Sequence, residues 1–545
     1  YSVTGVQTCA LPIYNVAIGN WALNANSTGN NNTANGVQAL NSNTIGYDNT
    51  ANGYRSLQSN TGGYFNTAQG TYSLNANTTG TQNTANGAGS LFSNTTGYEN
   101  SAIGSGSLNH NTVGYYNTAT GGNSLYSNSN GNNNTASGHS SLFSNTSGSN
   151  NTAIGFRSLY ENTTGEFNTA IGNYSLEANT GVNNTAVGFQ SLYHNTSGSN
   201  NTSTGYRSLM SNTTGNYNTA NGFESLYQNT TGLENTGYGN RSLFSNTTGN
   251  YNSASGANSL YNNTIGSGNA AFGNDALFSN TAGYSNSSFG RGALYSNSTG
   301  FCNVSMGSYS MLYNSTGYGN SAIGYNAGSE PTNNQYCSFL GNDANNSTTT
   351  SRTNSMALGN TSRITADNQV RIGNSSVSSI GGYVGWTNLS DERYKININH
   401  DIPGLAFITK LNPVSYNLNL SKLNKDLNIP DSVNSRSELQ KGIQEKSSIR
   451  YTGFLAQEVE QAAKSIGFDF SGVDAPKNDG DMYGLRYAEF VVPLVKAVQE
   501  QQQIIEEQNK KIEEQSNTNT QLSKEIQDLK QRMESMEKLL NNANK

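Results

Sequence analysis

The sequence predicts a mainly β fold: a long parallel β-roll or solenoid of about nineteen 17-residue coils, then a small α+β module, then a C-terminal coiled coil. Three observations carry that prediction. A 17-residue motif recurs through more than half of the 545 residues. Near Ser390 an almost uncharged chain rich in Gly, Asn, Ser and Thr gives way to Lys, Glu, Asp and longer aliphatics. From Leu494 a single heptad register then continues for about seven heptads.

Composition alone would point elsewhere. With 33% hydrophobic and 11% charged residues, 60 glycines and 32 tyrosines, the chain is too poor in Leu, Ile and Val for a thick globular core and reads as low-complexity. Only the periodicity overrides that reading. The net charge of −6 leaves no basic stripe for phosphates, so nucleic acid is excluded as a partner. No run of 18 apolar residues exists, so no helix is expected to insert in a membrane.

Residues 1–13 stand apart. Val3–Ile13, VTGVQTCALPI, share nothing with the rest of the chain and resemble a translated sequencing-library adapter; they are expected to be an artefact, with the true N-terminus missing. The alternative is the tail of a signal peptide, against which no basic or long apolar segment precedes them. Setting Cys9 aside leaves Cys302 and Cys337, which make neither a disulfide framework nor a zinc site. His110, His139, His194 and His400 are scattered as surface residues. No metal and no cofactor is expected.

The roll is assigned to residues 14–325. Neighbouring units read NTASGHSSLFSNTSGSN (134–150) and NTAIGFRSLYENTTGEF (151–167), and the small residue recurs at Ala17, Ala34, Ala51 and onward to Ala322, with one 16-residue step from Ala170 to Ala186. A glycine comes two residues later, as at Gly36 and Gly155, and a second ten further on, as at Gly46 and Gly148. A leucine lies between them, as at Leu40, Leu57 and Leu142. Two short extended pieces, NTAxG and SLxxN, separated by glycine turns, cannot bury their own Ala and Leu faces, but stacked coils can. Gly, Asn and Thr at this density argue against helical repeats. Nineteen coils at ~4.8 Å would make a rod of roughly 90 Å, with Asn rows forming ladders along it.

An enzyme is not expected in the repeats. Glu161, Glu166, Glu177, Glu224 and Glu234 form no recurring carboxylate pair for glycoside hydrolysis, and neither a GGxGxD calcium motif nor a phosphate-cradling loop occurs. Aromatic residues come after many of the leucines (Tyr126, Phe143, Tyr160, Tyr227, Phe244, Tyr261) and could stack on sugar rings, pack at an interface between copies, or simply be tolerated at the surface. An ice-binding reading of the Thr rows lacks the strict T-x-T spacing. The repeats resemble the head repeats of trimeric autotransporter adhesins, whose motif is NxxAIG, with a longer unit carrying an NTTG insertion. That resemblance implies a roll, in that family left-handed and packed as a trimer.

Residues 326–389 are expected to be irregular coils and a neck. The register dissolves through CSFLGNDAN (337–345) and NSMALGN (354–360), and QVRIGNSSVSSIGG (369–382) alternates like a short strand pair.

The module at 390–492 opens with SDERYK. On its own, such a run is a helix N-cap and then a solvated charged turn. However, SDERYKININHDIPGLAFITKLNPVSYNLN (390–419), GFLAQEVEQA (453–462) and YGLRYAEFVVPLVKAVQEQ (483–501) resemble the three signature blocks of the endosialidase-type intramolecular chaperones, self-cleaving modules at the C-termini of phage tail spikes, tail fibres and related proteins. The polar stretch Ser421–Ser448 looks like an insertion between blocks. The resemblance implies a homotrimer whose assembly the module drives before cutting itself away, with Ser390 as nucleophile, Lys395 as general base and Leu389–Ser390 as the scissile bond. The chemistry is reasonable for these side chains, since a lysine takes a serine proton once burial or positive charge lowers its pKa. Arg393 could supply that charge or could pair with Asp391 or Glu392.

The last segment, 493–545, carries Val498, Ile505, Ile512, Asn519 and Ile526 at a positions and Leu494, Leu522 and Leu529 among the d positions. The seam itself does not decide between two and three strands; the trimer expectation comes from the resemblance.

The functional expectation is therefore a homotrimeric fibre or adhesin for attachment to a host or surface. Its partners would be itself and a cell-surface glycan or receptor, its location a virion tail fibre or the extracellular surface, and its one reaction a single-turnover Ser/Lys autoproteolysis. The alternatives are a polysaccharide depolymerase carried on a tail spike and a non-cleaving bacterial surface adhesin. A true autotransporter would need a C-terminal membrane β-barrel segment, where a polar helix is expected here.

Overall fold

The computed structural model describes residues 14–543, so the expectation for residues 1–13 lies outside them. Two compact units are present, 14–374 and 375–543.

Each coil of the first unit contributes one three-residue strand to a 22-stranded parallel sheet that runs from Val16–Ile18 to Val370–Ile372. Ala17 pairs with Ala34 and Ala34 with Ala51, and the single 16-residue step pairs Ala170 with Ala186. Between the two end strands the central residue of each strand points inward and its neighbours are more exposed, which is the two-residue alternation a pleated strand imposes. Ala34, Leu40, Ala51 and Leu57 are all fully buried. No coil has enough apolar surface for a core of its own; each is the hydrophobic partner of the next.

Among the described residues the expected second strand forms only in the last coils, where Asn345–Asn346 pairs parallel with Arg363–Ile364; through the regular repeats it does not form. The leucine of SLxxN sits in the left-handed region, with φ from +47° at Leu74 to +54° at Leu192, so this stretch is a corner and not an extended piece. The corner still ladders between coils, because identical backbones stack: Leu40 N donates to Ser56 O at 3.1 Å and Ser42 N to Gln58 O at 3.0 Å. A glycine at each of two further points permits the stacking. At Gly36 (φ +148°) a Cβ would lie 2.4 Å from Gly53 O, and at Gly46 it would lie 2.4 Å from Gly63 O.

Two asparagine ladders run inside the roll. In one, Asn49 Nδ2 donates to Asn32 Oδ1 at 3.1 Å and to Gly63 O at 2.8 Å. In the other, Asn60 Nδ2 donates to Asn43 Oδ1 at 2.7 Å and to Gly63 O at 3.0 Å. These amides are fully buried, and a buried amide is tolerated only when paired, so the Asn rows serve as a polar core beside the Ala–Leu one.

The sheet persists past Tyr325, against the expectation of irregular coils and a strand-pair neck. Ser338–Leu340 pairs with Met356–Leu358 at an offset of 18, and Met356–Leu358 with Val370–Ile372 at an offset of 14. Compensating substitutions hid this continuity. Phe339 occupies an inward strand position held elsewhere by a small residue, while Gly328 stands at the leucine position, where a Cβ would lie 2.8 Å from Phe339 Cδ2. Core volume is conserved across the two sites although each breaks the pattern. A buried Arg363–Asp343 pair at 2.8 Å also lies here, as does Cys337, whose thiol is pushed up to about 11 chiefly by burial. Cys302 and Cys337 are both free thiols.

In the second unit, helices α1 (Leu405–Ile408) and α5 (Ala456–Lys464) and the start of α6 (Val491–Ala543) surround one small core of Phe407, Val459, Ala463, Phe470 and Phe490. The three sequence blocks therefore meet in space. Strands Val414–Tyr416 and Tyr451–Gly453 pair antiparallel, and the insertion leaves and re-enters through them. It folds as α2 (Leu420–Asp426), α3 (Asp431–Asn434) and α4 (Ser437–Ser448) around its own core of Leu420, Ile429, Val433, Leu439 and Ile443. Among the described residues no helix is long and apolar enough to cross a membrane.

Candidate functional site

The site is built by one tight turn. Asp391 caps it, accepting at Oδ1 from Arg393 N at 2.9 Å, and Glu392–Tyr394 close a single 3₁₀ turn that ends when Lys395 N donates to Glu392 O at 3.0 Å. The cap-and-turn reading of SDERYK is thus correct, and it accounts for how Ser390 and Lys395 are placed. Reversal of the chain over five residues brings the ends of the motif together, and Lys395 Nζ donates to Ser390 Oγ at 2.9 Å. Both side chains lie within the distance at which a proton passes between them.

Arg393 takes the second of its two roles. Its guanidinium chelates Asp391, with Nη2–Oδ2 at 2.6 Å and Nε–Oδ1 at 3.1 Å. The Arg393 side chain, and then its backbone N–H, hold the Asp391 carboxyl below its usual range, while Asp391 raises Arg393. The positive charge is balanced inside the turn. It locks the turn.

Ser390, Lys395 and the preceding Leu389 are all exposed on the isolated chain, Leu389 by 81%. Around them Trp386 (88% exposed), Val384, Tyr394 and Ile396 also present large apolar side chains to solvent. The local backbone brings Ser390 Oγ and Lys395 Nζ together, but among the described residues nothing covers them from water.

The long helix α6 places Val498, Ile505, Ile512, Asn519 and Ile526 along one face at heptad spacing, and the four apolar ones are 43 to 65% exposed. Only Pro493 and Ala497, near its start, are buried. Sequence reasoning missed how this helix is tied to the module. Glu500 Oε2 accepts from Leu405 N at 2.8 Å, and Gly404 lies so close that a Cβ there would sit 2.7 Å from Ala497 N. The only signal for it was the glycine ahead of a short apolar helix. Tyr483 OH donates to Glu460 Oε2 at 3.0 Å, joining the third block to the second. Lys464 first, then Tyr483, hold the Glu460 carboxyl low.

Among the described residues no group of His, Cys, Asp and Glu could hold a metal ion. The aromatic rows of the roll stack on themselves: Tyr227, Phe244, Tyr261, Phe278 and Tyr295 lie 5.0 to 5.2 Å apart and within 8° of coplanar. Inside such a ladder each ring face is covered by the neighbouring coil, which leaves edges and not faces for any sugar.

Residues 390–468 match a peptidase family model described as Chaperone of endosialidase, so its first matched residue is Ser390. No curated protein matches this chain. A domain of this kind placed after a long β-solenoid fits a protein of the tail-fibre or tail-spike type.

Proposed function

We propose that the chain is the subunit of a homotrimeric attachment fibre on a virion or cell surface, whose C-terminal module assembles three copies and then severs itself between Leu389 and Ser390. The observation that carries this reading is the 2.9 Å contact between Lys395 Nζ and Ser390 Oγ at the first residue of the matched domain.

Because the serine stands just after the bond to be cut, its Oγ reaches the Leu389 carbonyl carbon through a five-membered ring. Neutral Lys395 accepts the hydroxyl proton as the C–O bond forms. The C–N bond then breaks, and the proton goes to the departing Ser390 amine. The resulting ester is hydrolysed by water to a Leu389 carboxylate and the free Ser390 hydroxyl. A lysine is a competent base only when its ammonium form is disfavoured, and an exposed one is not. Covering by partner copies at the apolar surface of Trp386, Leu389, Tyr394 and Ile396 would supply the missing desolvation, so that cutting comes after assembly. The α6 seam, with four half-exposed aliphatics at a positions, is the surface through which copies would meet.

The test is mass spectrometry of the expressed full chain together with light scattering. The expected result is a C-terminal fragment beginning at Ser390 and a solenoid fragment that remains trimeric. A wild-type chain that stays whole while trimeric would remove the cleavage step. A chain that cuts as a monomer would remove the link between assembly and cutting.

A further inference from the structure

The insertion formed by α2, α3 and α4 is not needed to bring Ser390 and Lys395 together, and its core is separate from that of the three signature blocks. Its own contacts show what it holds. Along α4, Leu439 and Ile443, four residues apart, face the insertion's core. Gly442 and Lys446, also four apart, define the adjacent stripe. A glycine inside a helix costs about 1 kcal/mol relative to alanine, and here there is a steric reason for it: a Cβ on Gly442 would lie 2.6 Å from the Cβ of Ser376. One turn on, Lys446 Nζ donates to the carbonyl of Val377 at 2.8 Å, a charge-assisted bond. Burial lowers the Lys446 pKa, as expected for an ammonium withdrawn from water against a backbone oxygen. Ser375, at the start of the same stretch, is buried.

The stretch so gripped lies on the far side of the Leu389–Ser390 bond. Beyond it the chain is open: a Cβ at Gly381 or Gly385 would meet nothing within 4 Å, and Tyr383, Val384 and Trp386 are exposed. Ser375–Val377 is thus a short segment held at a defined place, with a loose tether leading from it to the scissile bond.

We infer that the inserted helices form a clamp on Ser375–Val377, and that this clamp keeps the C-terminal module attached to the solenoid fragment after the tether between them is cut. The occupant of the α4 stripe is this chain's own segment, admitted by Gly442 and held by Lys446. The consequence after self-cleavage rests on the function proposed above; the clamp itself does not.

The experiment separates the two. In the full chain carrying Ser390→Ala, a recognition sequence for a specific protease is placed between Gly381 and Gly385, so that the tether is cut by an added enzyme whatever Ser390 does. After cutting, the two pieces are expected to co-elute on size exclusion. Gly442→Val, which fills the place of Ser376, and Lys446→Met are expected to abolish that co-elution. In the uncut chain, amide exchange across 375–379 should be slow and should accelerate in both variants, while exchange in the Phe407–Phe490 core stays unchanged. That second readout guards against a variant that merely unfolds the module. Pieces that part in the unmodified clamp, or variants that leave both co-elution and protection unaltered, would overturn the inference.

Discussion

The solenoid and the C-terminal unit contain the same problem, an element too thin to bury its own apolar face, and they resolve it differently. In the roll, the Ala and Leu of interior coils such as Ala34, Leu40, Ala51 and Leu57 are fully buried by neighbouring coils of the same chain, and the Asn amides are paired along the stack. In the C-terminal unit, Val498, Ile505, Ile512 and Ile526 recur with equal regularity along α6 yet remain half exposed, and Trp386, Leu389 and Ile396 around Ser390 are more exposed still. Regular apolar spacing that is satisfied within the chain makes a shaft. The same regularity left open along α6 supports the proposal that copies assemble through the second unit.

The sharpest test of that contrast is at the dyad. Ser390→Ala and Lys395→Met should each abolish appearance of the fragment beginning at Ser390 while leaving oligomer mass unchanged, read by mass spectrometry and light scattering. Cleavage in either variant would mean that the 2.9 Å contact is only structural. Next in size, Ile512→Asp should prevent assembly. It replaces in every copy a seam aliphatic whose full burial is worth about 1.5–3 kcal/mol with a charge that costs more. Loss of the oligomer should carry loss of cleavage with it if partner copies are what exclude water from Lys395.

Within the roll the same kind of change should behave differently. Leu159→Ala opens a fully buried site and should cost about 2–5 kcal/mol, but neighbouring coils confine the damage. Exchange should quicken in the coils around 142–176 and stay slow at the ends, with oligomer mass and cleavage unaffected. A uniform loss of protection from one end to the other would show that the coils melt as a single cooperative block.

Legibility divides along the same line. The 17-residue recurrence reveals the parallel roll, the inward Ala and Leu and the Asn rows, because in a stacked coil sequence period and spatial neighbour coincide. It does not reveal the leucine's positive φ: spacing says which residues stack, not the dihedrals at which they do so. It also loses Phe339 and Gly328, where volume is exchanged between positions 11 residues apart and each residue by itself looks like the end of the repeat. In the second unit the heptads are visible for the same periodic reason, whereas Gly442 against Ser376 and Glu500 against Leu405 join residues 66 and 95 apart with no period linking them. For SDERYK, chemistry alone favoured a capped turn, and resemblance alone selected Ser390 and Lys395 as a proposed dyad. The capped turn is present, and it folds Lys395 back onto Ser390.

The smallest expected effect lies where the roll stops being regular. Glu330 is half buried beside the Arg363–Asp343 pair, and burial raises its carboxyl above the ordinary 4.5, with Asp343 adding to the rise and Arg363 opposing it. Folding therefore favours the protonated form. The stability that goes with it is full below the unfolded-state value, where both states are protonated, and is lost as pH rises through the higher folded-state value. Glu330→Gln removes the ionisation and keeps the shape. Compared by urea unfolding at a series of pH values, the variant should match the wild type near pH 4 and gain a small margin over it by pH 7, reduced by solvent screening at a partly exposed site. A margin that grows toward acid instead would mean that Arg363 stabilises the Glu330 carboxylate by more than burial penalises it. In that case this end of the roll would be held by a three-membered ion cluster, and not by the single Arg363–Asp343 pair.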